Sequence, residues 1–135
     1  MAERFDIDNI TKKNYDVGIL GDDVISQFDL KISKRKIYFS NDKILYTKKH
    51  AYKFKNIKEY KKCVEATPDI IKNPDYIAMH PNGKSIEYIK KIDSIVLVAV
   101  RIKPYGDLWV KSVFPITQAK LDLYIKSGTA KKFKK

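Results

Sequence analysis

The chain of 135 residues has one cysteine, two histidines and no long apolar run. Its single Cys63 excludes an internal disulfide framework. The sequence contains no Cys/His cluster, so we expect no structural zinc site. The longest apolar run, Ile95 to Val100, is far too short to cross a bilayer. The first six residues lack the basic-then-apolar order of a signal peptide. We therefore expect a cytoplasmic protein without a membrane partner, metal or cofactor. A protein of this kind can also be delivered as part of a larger system.

Acidic residues are scarce and unevenly placed. The chain holds 28 Lys and Arg against 16 Asp and Glu, a net charge of +12, although residues 1–30 are acidic. Residues 31–62 carry twelve bases and two acids, with His50 in the middle. A dense positive field attracts a polyanion, most commonly nucleic acid. An anionic membrane surface, an acidic protein or simply a solvated lysine-rich surface are the alternatives.

The hydrophobic pattern predicts one domain over residues 1–135. It begins with an acidic leader at 1–30 that contains a short helix near 22–29, and it ends in a frayed basic tail at 131–135. The elements expected between them are a strand at 36–40, a turn at 40–42, a helix at 56–66 and one further turn of helix at 68–72.

From residue 75 the period changes to that of strands. Strands are predicted at 76–80, 85–90, 94–103 and 108–114, followed by a helix over 117–127 that Thr117 caps. Short connections between strands are typical of an antiparallel meander. We therefore predict an α+β fold in which N-terminal helices pack on one face of a four-stranded antiparallel β-meander, with a C-terminal helix and a partly open second face.

Cleavage of RNA without a metal requires few groups. The 2′-hydroxyl of the RNA is the nucleophile, one side chain accepts its proton, another protonates the leaving oxygen, and cations stabilise the phosphorane. His50 is the first candidate for proton transfer, because Lys48 and Lys49 disfavour its protonated form. The alternative is a surface histidine at the start of a helix. His80 precedes a hairpin turn, a position more typical of a solvent-facing residue.

Several cations and hydroxyls are candidates for phosphate contact. Arg101 and Lys103 end the long strand, and their alternative is a solvated strand end. Strand alternation places Lys111 and Ser112 on opposite faces, so only one of them reaches a cleft unless a bulge intervenes. The remaining candidates are Thr117 at its helix N-terminus, and Tyr88 and Lys90 on one face of a strand, opposite to Glu87.

The order of these features resembles the phage-type nuclease families of the barnase–EndoU–colicin–RelE superfamily. The resemblance covers about residues 17–126, and its most specific pieces are the Ile-Lys-Asn-Pro-Asp segment at 71–75 and the Lys-Ser-Val-Phe-Pro strand at 111–115. It implies a metal-independent ribonuclease fold, with a histidine at His50 and a Ser or Thr at Ser112. Many members have a second histidine near the first, where this chain has Tyr46, Lys48 and Lys49.

The function predicted from these observations is that of a ribonuclease, as a toxin or phage-associated effector that cuts cellular RNA such as tRNA. An acidic antitoxin or immunity protein is the second partner considered. The alternative is a non-catalytic nucleic-acid-binding or phage interaction protein, in which Tyr88, Trp109 or Tyr105 stacks on bases. The predicted catalytic residues are His50, Ser112 and Lys103. The predicted substrate-binding residues are Lys48, Lys49, Tyr88, Lys90, Arg101, Lys111 and Thr117.

Overall fold

The computed structural model describes residues 2–133 and shows an α+β domain built on a seven-stranded sheet. The strands are β1 (Asn14–Leu20), β2 (Arg35–Ser40), β3 (Tyr76–Met79), β4 (Ser85–Lys91), β5 (Ile95–Arg101), β6 (Leu108–Ile116) and β7 (Ala130–Lys132). The helices are α1 (Asp22–Gln27), α2 (Asn41–Tyr46), α3 (Ile57–Glu65), α4 (Thr67–Lys72) and α5 (Gln118–Lys126), and a 3-10 helix spans Thr47–Lys53.

The strands lie in the order β1-β2-β6-β5-β4-β3-β7. All neighbours are antiparallel except β2 and β6, which run parallel. The α+β class is confirmed, and the four strands predicted as a meander form the contiguous run from β3 to β6. The sheet is nevertheless larger than predicted, because β1 and β2 extend one edge and β7 extends the other.

Two of the added strands, β1 and β7, lie where no strand was predicted. In β1, the register with β2 shifts between Asp16 and Gly18, which has a φ of +149°. A Cβ on Gly18 would lie 2.8 Å from Cγ2 of Ile71, so the glycine allows β1 to approach α4 closely. The predicted frayed tail is wrong for residues 131–132, which pair with β3 in β7. Lys134 and Lys135 of that tail lie outside the described residues.

The turn predicted at residues 40–42 is the start of a helix instead. Ser40 accepts a hydrogen bond from the backbone N–H of Lys43 at 3.2 Å through its side chain, and α2 begins at Asn41. Ser, Asn and Asp are favoured both at turns and at helix N-caps, so the residue types alone do not separate the two. The α2 helix continues directly into the 3-10 helix, which positions His50.

The sheet has one fully packed face and one face that is only partly covered. On the packed face, Val96, Val98 and Val100 join the main core, which also includes Phe5 and Ile7 of the N-terminal leader. On the other side, which we call the open face, a smaller cluster contains Ile89, Leu97, Ala99 and Leu121 of α5. The α5 helix therefore covers one end of the open face and leaves the end near Arg101 to polar side chains.

Candidate active site

Two rows of side chains cross the open face on the side of Arg101. Residues paired directly across antiparallel strands project from the same face of a sheet. The first row, which we call the glutamate row, contains Ala78, Glu87, Ala99 and Ser112. The second, which we call the arginine row, contains Ser85, Arg101 and Trp109. At its end the backbone N–H of His80 donates to the carbonyl of Ser85 at 2.9 Å, so His80 extends this row beyond β3.

Glu87 is the central acid of the open face. Its side chain is only 3% exposed, and its Oε1 atom is buried without a hydrogen-bond partner among the described residues. Burial raises the pKa of Glu87 above its ordinary value, and the positive charges of His80, Lys120 and Lys111 oppose that increase. A carboxyl group with a raised pKa is a better match to proton transfer near neutral pH than an exposed one.

His80 is the histidine whose position relates directly to Glu87. Glu87 pairs with Ala78, so His80 is its diagonal neighbour across the strands, about 7–8 Å away. The backbone N–H of Asn82 donates to Nδ1 of His80 at 3.2 Å. Because Nδ1 accepts this bond, the proton of the neutral ring is on Nε2. The hairpin turn therefore orients the imidazole, which sequence reasoning treated as a solvent-facing residue.

A β-bulge in β6 brings both Lys111 and Ser112 to the open face. Ala99 pairs with Ser112 but Val100 pairs with Val110, so Lys111 is an extra residue in β6. Lys111 is exposed, and its charge acts on Glu87. The bulge also carries the buried Val110 to the packed face, where it pairs with Val100.

The end of the arginine row combines a cation with aromatic rings. Arg101 is exposed at the end of β5 and pairs with Trp109, whose ring centroid lies 5.5 Å from that of Tyr38. The predicted continuation of this strand to Lys103 is wrong, because β5 ends at Arg101. Lys103 lies in the following loop, where its carbonyl accepts a 3.5 Å hydrogen bond from Arg35.

His50 lies on the 3-10 helix, which packs against β6. It is half-buried in the middle of that helix and not at the start of a helix as predicted. Its Nδ1 atom is buried and has no hydrogen-bond partner within residues 2–133. Lys48 and Lys49, which directly precede His50, are exposed. The fold thus brings the element that carries His50 to the strand that carries Ser112, and the catalytic role of His50 stays a prediction.

Two predicted substrate contacts take other positions, and a third has the capping role that was also predicted for it. Tyr88 is 1% exposed on the packed face, where burial raises the pKa of its hydroxyl, and this contradicts stacking on a base. Lys90 projects away from the open face, and its Nζ donates to the carbonyl of Asn73 at 2.9 Å. Thr117 caps α5 as predicted, accepting from the N–H of Lys120 at 3.1 Å.

Glu87, His80 and Lys120 are the groups that sequence reasoning did not place in the site. A signal for Glu87 was present, since it is the one glutamate of strands β3 to β6 and alternates with Tyr88. Its face is the one that carries Arg101, so an acid and a cation were predictable on one surface. Nothing in the sequence shows that α5 directs Lys120 toward them.

The structure is an α+β domain whose open sheet face places a buried acid among several cations. The chain belongs to the family described as phage-Barnase-EndoU-ColicinE5/D-RelE like nuclease3, whose model matches residues 16–122. The resemblance found in the sequence is confirmed. The matched region runs from β1 into α5 and includes strands β2 to β6 in full. No curated protein and no solved structure matches the chain.

Two further observations concern the described part of the chain. No group of three or more His, Cys, Asp or Glu side chains in residues 2–133 is arranged to hold a metal ion. None of the helices in the same range is both long enough and apolar enough to cross a membrane.

Proposed function

We propose that the protein is an endoribonuclease that cleaves RNA by transesterification without a metal. The 2′-hydroxyl attacks the adjacent phosphorus, the bond to the 5′-oxygen breaks, and the products are a 2′,3′-cyclic phosphate and a 5′-hydroxyl. The observation that carries the proposal is the buried Glu87, with its raised pKa, on the sheet face that also carries Arg101 and Lys111. Such a face attracts the phosphodiester and supplies a base beside it.

Glu87 is the proposed general base, which accepts the proton of the 2′-hydroxyl. The leaving oxygen requires a proton donor, and we assign this role to the protonated form of His80, which donates from Nε2 and in which Nδ1 no longer accepts from the N–H of Asn82. His50 is the second candidate for proton transfer, since its helix contacts β6.

The cations of the open face are proposed to hold the reacting phosphate. Lys111 and Lys120 lie close enough for their charges to act on Glu87, and Arg101 ends the neighbouring row. Ser112 shares the row of Glu87 two strands away, about 10 Å at ordinary strand spacing, and is proposed to donate to a phosphate oxygen. Lys103, Lys48 and Lys49 are proposed to bind adjacent phosphates.

The reaction is tested by its products. Purified protein should cleave total RNA equally well with and without EDTA, and sequencing of the ends should show cyclic phosphates. RNA with 2′-deoxy substitution at the cut position should resist. Equal cleavage of DNA would contradict the mechanism, because DNA lacks the nucleophile.

The two histidines are distinguished by paired variants. His80→Ala should lower kcat by about 10²-fold or more, the usual contribution of a general acid. His50→Ala should have the smaller effect if His80 is the donor, and the reverse order would assign the donor to His50. Circular dichroism of both variants controls for folding.

We further propose that the cleaved RNA is cellular, with tRNA as a candidate, and that the protein acts as a toxin or phage-associated effector in the cytoplasm. The word phage in the family's description and the basic body support this proposal. An acidic antitoxin or immunity protein is the expected inhibitor. Growth arrest on expression, with new cyclic-phosphate ends on specific RNAs, would support the role, and normal growth of cells that contain active protein would contradict it.

A non-catalytic nucleic-acid-binding or phage interaction protein is the second candidate function. It is favoured by the contact between Tyr38 and Trp109 at 5.5 Å beside Arg101, an arrangement suited to stacking and phosphate contact without chemistry. It predicts binding that weakens steeply with salt and no turnover.

A further inference from the structure

Three aromatic rings adjoin one another on the surface formed by the end of α2 and the 3-10 helix. The ring centroids of Tyr46 and His50 are 5.3 Å apart, and those of His50 and Tyr52 are 6.4 Å apart. Tyr46 is 52% exposed and Tyr52 is 78% exposed. Tyrosine rings with this exposure present much of their surface to solvent.

Lysines without acidic partners surround these rings. Residues 43–58 contain six lysines and no acid. None of the six forms an ion pair within the part of the chain that the structure describes. The next two lysines, Lys61 and Lys62, contact Asp8 and Asp93. No acid in the described residues therefore neutralises the lysines of the segment that carries the exposed rings, and a polyanion complements it.

Two of these lysines lie directly against a tyrosine. The Nζ atoms of Lys43 and Lys49 are 5.9 Å and 5.2 Å from the ring centroid of Tyr46. A flat ring flanked by ammonium groups matches one nucleotide, whose base stacks while its phosphates contact the cations. We call Tyr46, Tyr52 and the lysines of residues 43–58 the tyrosine–lysine surface.

We propose that the tyrosine–lysine surface binds unpaired RNA, with bases stacked on Tyr46 and Tyr52 and phosphates held by the lysines. The inference rests on the proposed function and deepens it by naming the substrate as single-stranded or looped RNA. Bases in a duplex are stacked on one another and do not offer their faces to a protein ring. Because the 3-10 helix packs against β6, this surface adjoins the strand that carries Lys111 and Ser112.

Binding is measured separately from cleavage. The probes are a fluorescent 12-nucleotide unpaired RNA and a 12-base-pair RNA duplex, titrated with protein that carries Glu87→Gln so that neither is cut. Tyr46→Ala and Tyr52→Ala should each weaken binding of the unpaired RNA about tenfold, within the range of stacking on one aromatic ring. Binding of the duplex should change less than twofold.

Matched variants separate stacking from general apolar contact. Tyr46→Phe and Tyr52→Phe retain a ring and should bind unpaired RNA as the parent does, whereas the leucine variants should resemble alanine. Leu123→Ala removes a 64% exposed apolar side chain from α5 and should leave affinity unchanged. Leucine variants with parental affinity would overturn the proposal and favour an acidic protein partner, and equal affinity for duplex and unpaired RNA would overturn it too.

The two proposals fail in different ways. Loss of affinity in the alanine variants without cleavage by the wild-type protein would retain the surface and reject the nuclease mechanism. Cleavage by the wild-type protein with unchanged affinity in the alanine variants would retain the nuclease and reject this surface.

Discussion

Replacement of Glu87 by glutamine should change activity and stability in opposite directions. As the general base, Glu87 should contribute about 10²–10⁴-fold to the rate, so Glu87→Gln should lower kcat by that factor. Burial raises the pKa of Glu87 in the folded protein, which means that the fold disfavours the ionised carboxylate. Glutamine keeps the shape of the side chain and removes the charge, so the variant should be the more stable protein wherever the carboxylate is ionised.

The sign of the stability effect depends on pH. Below the pKa of the unfolded glutamate the carboxyl is protonated in both states and carries no penalty. The free-energy penalty of holding an ionised Glu87 in the fold grows as pH rises through the raised pKa of the folded state. Each unit by which the fold raises that pKa corresponds to about 1.4 kcal/mol. A gain of 1 kcal/mol raises the Tm of a chain of this length by roughly 3–5 °C. The Tm difference between variant and wild type should therefore be large at pH 8 and small at pH 4.

Thermal unfolding at both pH values and single-turnover cleavage of one RNA substrate measure the two effects. Asp107→Asn, which removes an exposed acid from the loop before β6, is the control and should change neither. A Glu87→Gln protein that is less stable than wild type at pH 8, or that cleaves at the wild-type rate, would refute the reasoning.

Three further predictions concern the fold. Gly18→Ala should destabilise the protein by about 1–3 kcal/mol in urea unfolding, because its φ of +149° is strained for alanine and the new Cβ would lie 2.8 Å from Ile71; an unchanged midpoint would contradict this. Tyr88→Phe should leave the free energy of unfolding equal or higher, since its buried hydroxyl has no partner among the described residues; a loss above about 1 kcal/mol would reveal an unrecognised bond. Tyr60→Phe should cost about 1 kcal/mol through loss of the 2.7 Å hydrogen bond to Thr47, and a neutral result would argue against that bond.

The central strands were predictable because they are short apolar segments rich in Ile and Val that tight turns separate. The edges of the sheet were not. In β1, Gly18 interrupts the apolar pattern, and the bulge that it allows depends on contact with Ile71 of α4. In β7, the residues Ala130–Lys132 have no strand pattern of their own and extend because the edge of β3 supplies hydrogen-bond partners.

The face of Glu87 was predictable from the sequence, and its burial was not. Alternation allowed either Lys111 or Ser112 to reach the cleft, and the bulge that brings both to the open face was the stated condition under which both could do so. The burial that raises the pKa of Glu87 is a property of the packed domain. The orientation of His80 depends on one backbone N–H, that of Asn82 in the following turn. A histidine inside a lysine-rich segment is visible in a sequence, whereas a histidine oriented by a turn is not.

The measurement that tests the ribonuclease proposal most directly is the rate of RNA cleavage in EDTA by wild-type protein and by Glu87→Gln, as a function of pH, with identification of the new ends. The account predicts 2′,3′-cyclic phosphate ends and a wild-type rate that falls as pH decreases through the raised pKa of Glu87. It also predicts that Glu87→Gln loses about 10²-fold or more in rate together with that pH dependence. Cleavage that requires a divalent metal, or an unchanged rate and pH profile in Glu87→Gln, would contradict it.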